Sequence, residues 1–229
     1  MNEQHLEITQ IELYKLLIPL KEPFVISLGT IYNAENIILI IRTNNGLSGF
    51  GECSPFMTIN GESQSTCFLI GEMLAKKLKG KNALDIEDCV NVMDKTIYGN
   101  SSIKSAFDIA LHDIASQHAV KPLYQFLGGK KSKQLITDYT ISMGEPAKMA
   151  SDALKLKRAG YLVIKVKLGE NKKADVERIK SIRKVIGKKI PIRIDANQGW
   201  DVKTATKTLA ALKEYNIQFC EEPIPRWDF

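Results

Sequence analysis

The chain has 229 residues, 44% of them hydrophobic and 25% charged, which is enough apolar material to bury a substantial core and too much for a disordered segment. Its formal charge of +6 comes from lysines spread along helical stretches, such as Lys76, Lys77, Lys79 and Lys81, with acids close by. That spread argues against a nucleic-acid surface and is compatible with a small anionic substrate. The cysteines Cys53, Cys67, Cys89 and Cys220 are widely separated, with no CxxC pair and no Cys/His cluster. They support neither a zinc site nor a disulfide framework, and reduced thiols in the cytoplasm are expected. Residues 1–20 carry Glu3, Glu7 and Glu12 among their apolar positions, so no secretory apolar region is expected, and no later run is long enough to cross a bilayer.

Along the chain, β-branched and apolar residues first dominate at 8–18 and 36–43, which read as strands. Asn44-Asn45-Gly46 then supplies a tight hairpin turn, and 47–52 is the returning strand. Between the first two strands, residues 23–32 carry Gly29 and few charges and are expected to form a loop folded over something; 57–61 is expected to do the same. Helical periodicity follows over 63–78, 86–97 and 101–119, the last with Ile103, Phe107, Ala110, Leu111 and Ile114 on one face. A strand meander followed by three helices predicts an α+β domain over 1–129. Leu127-Gly128-Gly129 and the basic stretch 130–133 mark a break before a second domain, 130–229.

In the second domain strands and helices alternate: 136–142, 146–159, 161–168, 174–186, 190–195, 202–215 and 217–221. Alternation predicts parallel βα units and an α/β fold. Lys167, Asp195 and Glu221 stand at the ends of successive strands at roughly 30-residue intervals, as expected where a (β/α)₈ barrel presents its catalytic groups. Only about four of the eight strands fit before Phe229, so the sequence predicts a partial TIM-type barrel and a truncated chain with an exposed parallel edge.

The chemistry concentrates in a few residues. In Val163-Ile164-Lys165-Val166-Lys167, alternate side chains share a face, so both lysines point the same way. Two ammonium groups together disfavour each other's charge, which predicts a Lys167 neutral often enough to act as a base. Taken singly, the KxK strand also fits a solvated amphipathic strand, Asp195 with Asn197 a helix-capping turn, and Glu221-Glu222-Pro223 a polar strand end. Together they converge on one mouth of the sheet, and their hard oxygen donors suit Mg²⁺ better than zinc or copper. A lysine that removes a proton α to a carboxylate, with a metal neutralising the enediolate, is the pairing described for enolase-type sites.

The sequence resembles the muconate-lactonizing subgroup of the enolase superfamily over essentially its full length, and within it the dipeptide epimerases. The resemblance rests on Pro23-Phe24, Gly49-Phe50-Gly51-Glu52, Ala106-Phe107-Asp108-Ile109-Ala110-Leu111-His112-Asp113, Pro122-Leu123-Tyr124-Gln125, Leu127-Gly128-Gly129 and Lys165-Val166-Lys167. Residues 137–142, Thr137-Asp138-Tyr139-Thr140-Ile141-Ser142, resemble the first barrel strand of the dipeptide epimerases in particular. The resemblance implies an N-terminal α+β capping domain, and an isomerase that epimerises a small-molecule dipeptide through a metal-stabilised enediolate. It makes Lys167 the acid/base, Lys165 an electrostatic support for the substrate carboxylate or the intermediate, Asp195 and Glu221 metal ligands, and Asn197 a residue that orients the site. It sets Glu222 beside the metal ligand and puts Thr140 in contact with substrate. The family's third acidic ligand and opposite-face lysine would lie after Phe229, so residues 1–229 alone are expected not to turn over.

Gly29 stands where relatives acting on alanyl-glutamate tend to carry an arginine, which implies a small or hydrophobic dipeptide lined by Phe24, Ile26, Ile31 and Phe56. The alternatives are an o-succinylbenzoate synthase or cycloisomerase of the same subgroup, and a non-catalytic fragment that binds a partner through its open sheet edge. Neither nucleic acid nor membrane is an expected partner, and a homo-oligomer is left open. His112, Asp113 and Arg193 are expected to be structural, Arg193 because it lies nearer the bottom of the barrel.

Overall fold

The computed structural model describes residues 5–131 and 133–228; Glu3 and Phe229, and Ser132 in the basic stretch, lie outside the described residues. The chain forms two compact units, Met1–Pro19 with Asn33–Lys133 and Leu20–Tyr32 with Gln134–Phe229.

β1 (Ile8–Ile26), β2 (Gly29–Thr43) and β3 (Ser48–Cys53) form a sheet in that order, which belongs to the first unit except for residues 20–32. β2 and β3 pair antiparallel from Ile37 opposite Cys53 to Arg42 opposite Ser48. The period-2 alternation of β2 buries Ile37, Leu39 and Ile41 on one face. Helices α1 (Met57–Asn60), α2 (Gln64–Leu78), α3 (Ile86–Thr96), α4 (Ser101–His118) and α5 (Leu123–Phe126) follow. Ile103, Phe107 and Leu111 of α4 join the β2 residues in one core. The helix comes so close to β3 that a Cβ on Gly51 would lie 1.9 Å from the carbonyl oxygen of Ala106, and one on Gly49 2.1 Å from that of Ala110. The Gly49-Phe50-Gly51 pattern is therefore a packing requirement. The buried Glu62 carboxylate accepts the backbone N–H of Ser102 at 2.9 Å, supplying the cap that the first turn of α4 needs.

Two sequence expectations are corrected here. Residues 23–32 are not an irregular loop, because β1 runs through Ile26 and β2 starts at Gly29, with only Ser27 and Leu28 between them. Pairing gives an uncharged segment a partner for its backbone polar groups. Pro23 is tolerated because β1 is an edge strand. The stretch 57–61 contains a short helix, α1, closed by Gly61 at φ 77°.

In the second unit, β4 (Asp138–Ile141), α6 (Pro146–Arg158), β5 (Val163–Lys167), α7 (Lys172–Ile186), β6 (Ile192–Asp195), α8 (Val202–Leu212) and β7 (Ile217–Glu221) alternate. The strands lie in the order β4-β5-β6-β7, all parallel, as a partial α/β barrel. Ile164, Val166, Ile192 and Ile194 pack against Met149, Ile179 and Ile182 of the helices. Asn171 caps α7 by accepting from the N–H of Ala174 at 3.0 Å, and Asp201 caps α8 by accepting from that of Thr204 at 2.6 Å. Among the described residues no helix is long and apolar enough to cross a membrane.

Candidate active site

Ile164 and Val166 face the helices, so the two-residue period of β5 turns Lys165 and Lys167 to the opposite side. Parallel register then lines up side chains from distant parts of the chain. Thr140, Lys165, Arg193 and Phe219 are neighbours in one cross-strand row; Lys167, Asp195 and Glu221 form the next row, at the C-terminal ends.

Asp195 is the centre of the cluster and is 1% exposed. Its Oδ2 accepts from Lys167 Nζ at 2.7 Å and lies 3.1 Å from Lys165 Nζ, while its Oδ1 accepts the backbone N–H of Asn197 at 2.8 Å. Lys167 Nζ also donates to Asn197 Oδ1 at 2.9 Å, and Lys165 Nζ to Glu221 Oε2 at 2.5 Å. The turn after β6 makes this possible: Asn197 and Gln198 have φ of 43° and 65°. Such backbone angles cost about 1–3 kcal/mol each in non-glycine residues, which singles out a turn held in place by its surroundings. The turn folds the Asn197 amide back onto Asp195 and its side chain onto Lys167.

The electrostatics of Lys165 and Asp195 follow from their shared contacts. Burial by itself lowers the Lys165 value, but hydrogen bonds to Glu221 and Asp195 outweigh it and hold that ammonium above the usual lysine range. Burial likewise raises Asp195, yet the bonds from Lys167, the Asn197 amide and Lys165 prevail and keep its carboxyl below the usual range. The Asp195 carboxylate is shared by the two lysines.

Of the expected lining residues, Phe24 has its ring centroid 5.7 Å from Lys167 Nζ, and Thr140 lies beside Lys165 in the sheet. Ile26 is buried and Ile31 half-buried in the second unit, whereas Phe56 belongs to the first unit, just before α1. Glu222 is engaged by Gln198 Nε2 at 3.1 Å and Arg226 Nη2 at 2.8 Å. Arg193 donates to Asp138 Oδ2 at 2.9 Å and Gln218 Oε1 at 2.8 Å and stacks over Phe219. His112 Nδ1 lies 2.9 Å from the carbonyl oxygen of Asp108, and Asp113 accepts the N–H of Phe50, both within the first unit. Sequence reasoning missed Ser27, whose hydroxyl lies 2.8 and 2.9 Å from the carbonyl oxygens of Ala196 and Asn197 and shares its hydrogen between them. It also missed Asp175 and Arg178 on α7, which from sequence look like an ordinary pair one helical turn apart.

Comparison with known families decides the assignment. Residues 8–128 match the mandelate racemase/muconate lactonizing enzyme N-terminal domain, and residues 148–229 match the enolase C-terminal domain-like family. The chain belongs to the mandelate racemase/muconate lactonizing enzyme family. It is 58% identical over 219 residues to a D-Ala-D/L-Ala epimerase of Cytophaga hutchinsonii, covering 96% of this chain and 60% of that protein. It is 40% identical to a hydrophobic dipeptide epimerase of Enterococcus faecalis, covering 97% of this chain and 63% of that one. The crystal structure of the Cytophaga hutchinsonii dipeptide epimerase, complexed with Mg and D-Ala-L-Val, superimposes with a TM-score of 0.94 over 96% of this chain and 60% of that one. The chain thus spans about 60% of the length of these relatives. Within the family fold, the lysine and carboxylate cluster stands where a barrel carries its chemistry.

Proposed function

We propose that this chain carries the proton-abstracting Lys167, the supporting Lys165 and two metal ligands of a Mg²⁺-dependent dipeptide epimerase acting on small or hydrophobic dipeptides. The observation that carries the reading is the position of Lys165 Nζ, held by Asp195 at 3.1 Å and Glu221 at 2.5 Å. Two carboxylates from neighbouring strands converge on one positive charge, which is also what a hard divalent cation requires. In this reading Asp195 and Glu221 are the carboxylates this chain supplies to the metal. One or two carboxylates are the usual protein share of a Mg²⁺ site. When bound there, Mg²⁺ would offset the negative charge that builds on the substrate carboxylate as the α-proton leaves.

Each protein group has a defined task in this reading. Lys167 takes the proton and returns it, and Asn197 fixes the direction of its Nζ through the 2.9 Å bond. Lys165 supports the substrate carboxylate electrostatically. Phe24, beside Lys167, shields that face from water, while Thr140, Ile26 and Ile31 complete the lining within the second unit. Gly29, with open space around it, provides no cation for an acidic side chain, and the activities of the Cytophaga hutchinsonii and Enterococcus faecalis relatives, on D-Ala-D/L-Ala and hydrophobic dipeptides, support that reading. We place the protein in the cytoplasm, with Cys53, Cys67, Cys89 and Cys220 as free thiols.

The test is α-deuterium incorporation from D₂O, followed by NMR, with the gene product at its natural length and Ala-Val or Ala-Glu as substrate. Exchange of Ala-Val that requires Mg²⁺ is expected. Preference for Ala-Glu would overturn the substrate assignment, and exchange without added or bound metal would overturn the chemistry.

A further inference from the structure

We propose that Asp175 and Arg178 are positioning residues that tie together three strand-to-helix loops at the mouth of the sheet and thereby hold Lys167 against Asp195 and Asn197. Asp175 lies near the start of α7 and has no exposure to solvent, a rare state for an aspartate. Its Oδ2 accepts from the backbone N–H of Gly169 at 3.2 Å and of Glu170 at 3.1 Å and from the indole Nε1 of Trp200 at 2.8 Å. Its Oδ1 accepts from Arg178 Nη1 at 2.8 Å. Arg178, itself buried, donates through Nε to the carbonyl of Gly144 at 3.0 Å and pairs through Nη2 with Glu170.

The distribution of these partners carries the argument. Gly144 lies between β4 and α6, Gly169 and Glu170 directly after Lys167, and Trp200 shortly after Asn197. Apart from Arg178 on its own helix, every donor to Asp175 belongs to a loop leading away from the candidate site. Those loops also touch backbone to backbone. A Cβ on Gly199 would lie 2.3 Å from the carbonyl oxygen of Gly169, and one on Gly169 would lie 2.4 Å from that of Ala196. Ser27 also touches this contact, its Cβ 3.0 and 2.8 Å from where Cβ atoms on Gly169 and Gly199 would lie, but the Asp175 carboxylate is the group that both loops bond, and it fixes their spacing. A fully satisfied buried network of this type rigidifies what it connects. Lys167 and Asn197 are the residues whose 2.9 Å contact depends on that spacing.

The catalytic consequence rests on the proposed function, but the geometric claim does not, and its test uses the 229-residue chain without substrate or metal. Asp175→Asn keeps the shape of the side chain while turning an amide towards donors that need an acceptor; Arg178→Lys keeps the charge and loses the fork. Lys180→Ala on the same helix is the control. Two readouts apply: amide hydrogen exchange, and acylation of individual lysines mapped by mass spectrometry. Asp175→Asn is expected to raise exchange about tenfold in 168–170 and 196–200, with residues 164–166 unchanged, and to bring acylation of Lys167 up towards that of exposed lysines. Arg178→Lys is expected to loosen 142–145 selectively, and Lys180→Ala to change neither readout. An even rise across the second unit for Asp175→Asn, or open loops with Lys167 still protected, would overturn the proposal. Should Asp175→Asn not fold, Arg178→Lys decides: unchanged exchange at 142–145 sinks the idea. Loop-selective exchange in a protein whose natural-length product epimerises no dipeptide would refute the proposed function and leave this inference standing.

Discussion

Helix α7 carries two buried arginines, Arg178 and Arg183, and they meet different partners. Arg178 faces the loops at the C-terminal ends of the strands, where its partners are the carboxylates of Asp175 and Glu170 and one carbonyl. Arg183 faces the loops at the other end and meets carbonyls: Gly187 and Ile190 at 2.7 Å each, Tyr215 at 2.6 and 3.0 Å, and Asn216 at 3.3 Å. Burial lowers both, but for Arg178 the bonds to Glu170 and Asp175 outweigh it and raise the value, whereas for Arg183 burial prevails. One end of the sheet gathers charge against charge next to the candidate site; the other staples backbone with a single cation. This is the division between a functional and a stabilising face that barrel architecture imposes.

The largest effect should come from removing the proposed base, Lys167. Lys167→Met in a natural-length product is expected to cut dipeptide α-proton exchange about 10³-fold, with substrate binding little altered. A loss of less than tenfold would show that the functional end is not where the chemistry happens.

A smaller but clear effect is expected at the opposite end. Arg183→Met leaves several buried carbonyls without a donor and should cost the second unit about 3 kcal/mol in urea unfolding, while acylation of Lys167 in the folded protein stays unchanged. If that substitution exposed Lys167, the two ends would be coupled and the comparison would fail.

The smallest expected effect is on acid stability. The folded value of Asp195 lies below the unfolded carboxylate value of about 3.9, so near that pH the unfolded chain binds more protons than the folded one. The contribution of Asp195 is therefore complete above the unfolded value and disappears as pH falls through the folded one. Asp195→Asn should flatten that part of the stability curve below about pH 4, measured against Arg183→Met, which should shift the curve without changing its slope there.

Much of this was legible from local pattern. The alternation of β5 places Lys165 and Lys167 on one face whatever surrounds the strand, and the recurrence of polar strand ends at Lys167, Asp195 and Glu221 follows from repeated βα units. The hairpin tip was not legible. Its composition between Pro23 and Tyr32 resembles a loop, and nothing local says that Ser27 will bond to the carbonyls of Ala196 and Asn197. Asp175 and Arg178 were invisible for a similar reason, since an acid and an arginine one turn apart look alike on an exposed and on a buried helix face.

By itself the sequence determined the alternation of strands and helices from β4 to β7 and the residue types at the strand ends, because hydrophobic period and turn chemistry act over a few residues. Only the tertiary structure decided that Asp195 would be shared by two lysines, that the hairpin tip would join the second unit, and that Asp175 would be sealed among three loops. Those outcomes depend on parallel register and close backbone approach between segments far apart in the chain. Their energetics set the desolvation cost of buried charge against donors supplied by remote residues, neither of which a local pattern contains.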